Sequence, residues 1–180
     1  MTPAARLVDV ALAAPAPRVV AIDGPAGAGK TTFAEAVAAE IASRGGAAPQ
    51  VVHMDDLYPG WDGLAAAVPL LVTQVLAPFA AGGDARYRRW DWHASDWAEE
   101  VPVPAAEWLV VEGVGCGSRP TRPFLVALAW VDAEPEERMR RGIERDGESF
   151  RPHWERWARQ EEALFAVEQT AAHADVVLRT

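Results

Sequence analysis

Gly24-Pro25-Ala26-Gly27-Ala28-Gly29-Lys30-Thr31, with Thr32 behind it, spells G-x-x-x-x-G-K-[ST], the phosphate-binding loop. A polyphosphate must be wrapped by backbone N–H groups at a distance that side chains would obstruct, and glycines at 24, 27 and 29 leave that space. Lys30 can then reach between β- and γ-phosphates as a point charge. Thr31 can offer its hydroxyl to a divalent cation, and the helix that follows turns its positive N-terminal end toward the anion. Residues 24 to 32 are therefore the candidate nucleotide-binding segment.

The flanks have the character this mechanism requires. Arg18-Val19-Val20-Ala21-Ile22-Asp23 is a short apolar run suited to a buried parallel strand, and Thr31 to Ser43 predicts a helix with Phe33, Val37 and Ile41 stacked four apart. The loop thus falls at a strand-to-helix turn. Lys30 is the only lysine among seventeen basic residues. The single ammonium stands where a compact charge suits better than a planar guanidinium.

A chain of 180 residues suits one domain with a sizeable core. We divide it into an N-terminal extension, 1–17, containing a short helix from Ala5 to Ala13, and a single domain, 18–180. The net charge of −9 argues against a nucleic-acid partner. One cysteine, Cys116, excludes an internal disulfide and a multi-cysteine metal site, and points to a reducing cytoplasm. Residues 63–83 carry no charge over the length of a membrane span. Pro69 and Pro78 interrupt them, Thr73-Gln74 sits mid-way and aspartates flank them, so a buried helix beside the sheet, about Leu64 to Ala81, is expected instead of a span.

Beyond the first helix, Gln50 to Met54 predicts a second strand with Asp55-Asp56-Leu57-Tyr58 at its C-terminal end. In an open parallel sheet that end faces the ligand crevice, which makes the adjacent carboxylates candidates for catalysis; either could instead cap the next helix. Period-two alternation with aromatics over 85–104 predicts a hairpin or flap. Its tryptophans, with Trp61, either stack a flat acceptor or pack a hairpin too small for its own core. Trp108 to Gly115 is a third buried strand ending in Glu112, Leu125 to Val131 a fourth and Asp175 to Arg179 a fifth. Pro135 opens a helix on which Arg138, Arg141 and Arg145 share a face, before a break at Gly147-Glu148-Ser149 and a last helix reaching about Ala174. The arginine run is either a solvated face or part of a lid over the phosphates.

Strands alternating with helices give an α/β fold: a P-loop NTPase of the nucleoside/nucleotide-kinase-like type. A mostly parallel five-stranded sheet flanked by helices is expected, with a hairpin-like acceptor flap at 82–104 and an arginine-bearing lid at 138–152.

Taken together, the phosphate loop, His53-Met54-Asp55-Asp56-Leu57-Tyr58, Tyr87-Arg88-Arg89-Trp90-Asp91-Trp92, Val110-Val111-Glu112-Gly113 and the run from Arg138 to Asp146 resemble uridine kinase and its phosphoribulokinase-like relatives, P-loop kinases of small hydroxylated metabolites. The resemblance implies an ATP- and Mg²⁺-dependent phosphotransferase with a nucleoside-like hydroxyl acceptor. Asp55 becomes the general base, Lys30, Arg141 and Arg145 the other catalytic groups, and Thr31, Glu112 and Asp55 the metal-associated residues. Tyr58, Trp61, Arg89, Asp91 and His93 become the acceptor-site candidates. Ile22 to Lys30 is also similar to cytidylate kinases, so a nucleoside monophosphate kinase using Arg86, Arg88 and Arg89 is one alternative. An ATP-binding regulatory switch that phosphorylates nothing is the other.

Overall fold

The computed structural model describes residues 1–148 and 151–180. Ser149 and Phe150, in the expected helix break and lid segment, lie outside the described residues. Five strands form one sheet: β1 (Arg18–Asp23), β2 (Gln50–His53), β5 (Trp108–Glu112), β6 (Ala127–Asp132) and β7 (Val176–Arg179). Their order is β2-β5-β1-β6-β7, and every pairing is parallel. The two long strands β3 (Ala85–Asp91) and β4 (Asp96–Val103) make a separate antiparallel hairpin, as the alternation at 85–104 predicts.

Both faces of the sheet are covered, which is why its strands read as unbroken apolar runs. On β1, Val19 and Ala21 face one core while Val20 and Ile22 face the other. The first core holds the helices of 64–80, the hairpin and α6 (Arg151–Glu168); the second holds α1 (Pro3–Leu12) and α2 (Lys30–Ser43). Leu7, Val8 and Ala11 of α1 are buried there, so the N-terminal helix shares a core with the sheet.

The uncharged stretch forms α3 (Leu64–Leu70), a π-helical turn (Leu71–Leu76) and α4 (Ala77–Ala80), lying in the first core. Pro69 and Pro78 each remove one N–H donor from the helical ladder, and the wide turn lies between them. No described helix is long and apolar enough to cross a membrane.

Several boundaries differ from expectation by a residue or two, among them α1 and β6, and two differences bear on the site and the last helix. Met54 leaves the strand for a 3₁₀ turn, Met54–Asp56. The last helix stops at Glu168 instead of continuing to Ala174 because Gln169 adopts a left-handed conformation. The side chains of Arg119 and Arg122 take the carbonyls of Val167 and Glu168 there.

Candidate active site

The phosphate loop leaves the central strand β1 at Asp23. A Cβ on Gly24, whose φ is +144°, would fall 1.9 Å from the Val131 carbonyl oxygen, so only glycine lets the chain turn against β6. The buried Asp23 carboxylate accepts N–H bonds from Gly24 (2.7 Å), Gly115 (2.9 Å) and Gly117 (2.9 Å), tying the loop to the turn after β5. Burial pushes its pKa up to about 6, against the pull of those three donors and of Lys30. Lys30 opens α2 and donates from Nζ to the Pro25 carbonyl at 2.9 Å, folded back along the loop.

Next to the loop stands a pair of hard oxygen donors. The Thr31 hydroxyl donates to Glu112 Oε1 at 3.2 Å, and His53 Nδ1 lies 2.7 Å from the same oxygen. Parallel pairing of β2 with β5 sets His53 directly opposite Glu112, which is how the imidazole reaches the carboxylate. Burial works to raise the Glu112 pKa, but the His53 hydrogen bond and Lys30 hold it below the usual carboxylate range. The same bond raises His53.

Asp55 sits in the 3₁₀ turn at the end of β2. Trp92 Nε1 holds its carbonyl at 2.9 Å, and Tyr87 donates to Asp56 Oδ2 at 2.9 Å. These two bonds fix the turn from the hairpin and leave the Asp55 carboxylate facing a cavity of about 1030 Å³. Water reaches that carboxylate, yet protein crowds it on most sides. This desolvation, with the nearby negative charge of Glu112, raises its pKa against Lys30 and Arg145.

The far end of the cavity is aromatic. Trp61 stacks on His153 with centroids 4.3 Å apart and planes 1° from parallel, and lies 4.9 Å from Trp92; Trp157 meets Tyr58 edge-on at 4.8 Å. The Tyr58 hydroxyl donates to the Val114 carbonyl at 2.9 Å, so the tyrosine offers the cavity its ring and not its hydroxyl.

Residues 20–163 match a family model described as an AAA domain. The chain belongs to the AAA-domain family. Two solved structures share the fold of this AAA domain. A possible uridine kinase from Bacillus stearothermophilus has a TM-score of 0.68 and 21% identity, the match covering 96% of this chain and 97% of that one. A candidate fructose transport system kinase from Silicibacter sp. TM1040 has a TM-score of 0.60 and 20% identity, covering 98% of each. No curated protein matches the sequence. The AAA-domain chain therefore has a P-loop NTPase-like fold of the kinase-like type, as its motifs imply, with a nucleotide-binding loop.

Most of the sequence-derived site residues of this AAA domain converge. Ala26, Gly27, Gly29, Lys30, Thr31 and Thr32 line the cavity, while Gly24, Pro25 and Ala28 are buried behind it. Asp55, Glu112, Tyr58, Trp61 and His93 line it too.

Two do not join them. Asp91 accepts the N–H groups of His93 (2.9 Å) and Ala94 (3.0 Å), so it caps the hairpin turn. Arg89 pairs along the hairpin with Glu99 at 2.8 Å. The tryptophans divide as well: Trp90 and Trp97 pack edge-on within the hairpin at 5.2 Å, whereas Trp92 and Trp61 reach the cavity.

On α5 (Pro135–Asp146), Arg141 and Arg145 reach the cavity and Arg138 turns away from it. Arg141 is held by Glu137 and the Thr180 hydroxyl, each at 2.8 Å, and Arg145 grips Asp146 through two bonds.

The sequence-derived set omits His53, His153 and Trp157. His53 is marked out only by the pairing of β2 with β5, which sets it opposite Glu112. His153 and Trp157, four apart on α6, share a helical face whose partner, the loop around Trp61, is remote in sequence.

Proposed function

We propose that this AAA-domain protein is an ATP- and Mg²⁺-dependent kinase that phosphorylates a hydroxyl group of a nucleoside or similar small metabolite in the cytoplasm. One observation carries the reading: the phosphate loop, the Thr31–Glu112 pair and the Asp55 carboxylate open onto a single cavity whose other end is walled by aromatic rings. The kinases named among the structures of like fold support it.

In the transfer, Asp55 takes the proton of the acceptor hydroxyl as that oxygen bonds to the γ-phosphorus. The bond from the γ-phosphorus to the bridging oxygen breaks, and its electron pair leaves with ADP. Lys30 offsets charge on the bridging side. Arg141 and Arg145 can exchange their carboxylate partners for phosphate oxygens. Thr31 and Glu112 are hard oxygen ligands 3.2 Å apart, a donor set that fits Mg²⁺ with Asp55 alongside. Bound there, Mg²⁺ would neutralise charge on the phosphate oxygens.

Among the described residues, the Lys and Arg side chains lining the cavity come from the phosphate loop and α5, none from the aromatic end. Arg86, Arg88 and Arg89 are engaged on the hairpin with Glu100, the Trp97 and Ala98 carbonyls, and Glu99. An acceptor bringing its own phosphate would meet no guanidinium at that end, so we favour an unphosphorylated acceptor over a monophosphate.

The test is ADP formation by purified protein with ATP and Mg²⁺ against a nucleoside panel and the matching monophosphates. Stimulation by one or more nucleosides and none by the monophosphates is expected. Stimulation by monophosphates alone would favour a nucleotide kinase; ATP bound but untouched by every acceptor would favour a regulatory switch.

The same reading fixes a pH dependence. Asp55 must be ionised to accept a proton and its pKa is raised, so kcat/KM should fall with decreasing pH at values above the ordinary aspartate pKa of about 3.9. A pH–rate profile whose acidic limb sits at or below that value would contradict the assignment of the base.

A further inference from the structure

Glu161 is a buried charge that the proposed chemistry leaves unused. It lies on α6 with 3% of its surface exposed. Its Oε1 accepts the N–H of Ala26, within the phosphate loop, at 2.7 Å and the indole N–H of Trp157 at 2.9 Å. Its Oε2 lies 3.8 Å from Nη1 of Arg138 on α5, whose Nε is in turn anchored on the Ala133 carbonyl at 3.1 Å. The loop and α5 also touch directly beside this cluster. A Cβ on Gly27 would fall 2.3 Å from the Arg138 carbonyl oxygen. The phosphate loop therefore meets α5 and α6, more than a hundred residues further along the chain, at one carboxylate.

We propose that Glu161 is a positioning residue for nucleotide binding, holding the Ala26 end of the phosphate loop and the arginine-bearing helix α5 in fixed relation through one buried cluster. The inference rests on nucleotide binding at the loop and not on the identity of the acceptor.

Helix packing alone would not select this residue. Burial raises the Glu161 pKa, and the opposing pull comes from Lys30, the Ala26 N–H, Arg138 and Trp157. A buried carboxylate is often no more stabilising than a well-packed apolar side chain. What the carboxylate does and a leucine cannot is bind a loop amide and a guanidinium at once. Because the Ala26 N–H is taken by Glu161, the amides offered to phosphate begin at Gly27, whose position depends on the residue before it. Because Arg138 is one turn from Arg141 and two from Arg145, the pair that seats Arg138 also sets where those two side chains start.

The test combines E161Q, E161A and R138Q in the full chain, reading thermal melting, ATP affinity by calorimetry and hydrogen exchange at the Ala26 amide. Glutamine keeps one acceptor oxygen but turns an NH₂ toward either Arg138 or the Ala26 N–H, donor against donor. E161Q is expected to melt within a few degrees of the parent. Its Ala26 amide should exchange about tenfold faster or more, and its Kd for ATP should rise about tenfold, with larger changes in E161A. R138Q should also weaken ATP binding, and the double variant R138Q/E161Q should be no worse than E161Q, since both remove the same coupling.

Folded E161Q and E161A proteins with Kd within twofold of the parent, or with unchanged exchange at Ala26, overturn the proposal. If the Glu161 variants fail to fold, R138Q decides, because it leaves both Oε1 bonds in place: a Kd within twofold of the parent overturns the coupling. A parent protein that binds no ATP overturns the underlying nucleotide reading instead.

Discussion

Replacing Asp55 by Asn should lower kcat by about 10²- to 10⁴-fold, the range associated with a positioned general base, while ATP affinity stays within a few-fold. The substitution keeps shape and the backbone bond from Trp92 Nε1 to the Asp55 carbonyl, so the turn at 54–56 should not move. It removes what the reaction asks of the base, an ionised carboxylate basic enough to carry a proton away. It also removes one negative charge from the cavity, which lessens repulsion of the ATP anion and weakens attraction for Mg²⁺, two opposed effects that keep the change in ATP affinity small. Steady-state kinetics and calorimetric ATP binding on the same preparation check both halves. Near-normal turnover in Asp55→Asn would remove Asp55 from the mechanism.

The second large effect belongs to Lys30. Lys30→Met retains the apolar stem and loses the ammonium, and should weaken ATP binding by about 10²-fold or more with turnover reduced in parallel. The fold should survive, because the Nζ hydrogen-bonds the loop carbonyl of Pro25 and otherwise acts through space on the carboxylates of Asp23, Asp55, Glu112 and Glu161, which can take up protons when its charge is lost. Lys30→Arg is expected to fail nearly as badly. The side chain lies at the start of α2 with 8% of its surface exposed, and a planar fork does not fit where a compact charge does. A chain with sixteen arginines would otherwise have little reason to keep its one lysine at this position. Equilibrium binding of ATP to both variants is the measurement.

How much of this was legible follows from where each signal resides. β1, the phosphate loop and α2 can be placed almost to the residue because their determinants are local: an apolar run, glycines that permit the turn, and a helical stripe. The hairpin is equally local, in the alternation of its aromatics. Asp91 and Arg89 illustrate the limit. Motif resemblance carries them to the acceptor, but hairpin geometry assigns Asp91 to the turn and Arg89 to Glu99. Neither fate is visible without the strand register, which shifts between Arg88 and Trp90. The end of the last helix depends on Arg119 and Arg122, some forty-six to forty-nine residues upstream in sequence. Glu161 is the extreme case: it sits beside Glu162 in a polar stretch, and only the approach of the loop, 135 residues away, marks it out.

The measurement that bears most directly on the central claim is the fate of the γ-phosphoryl group. ATP labelled in the γ-phosphate, incubated with the protein, Mg²⁺ and the acceptor panel, should transfer its label to the hydroxyl oxygen of an unphosphorylated acceptor. One ADP should form per phosphate ester, and Asp55→Asn should slow the transfer by about a hundredfold or more. Label appearing only as free phosphate, or remaining on bound ATP in the presence of every acceptor, would contradict the account.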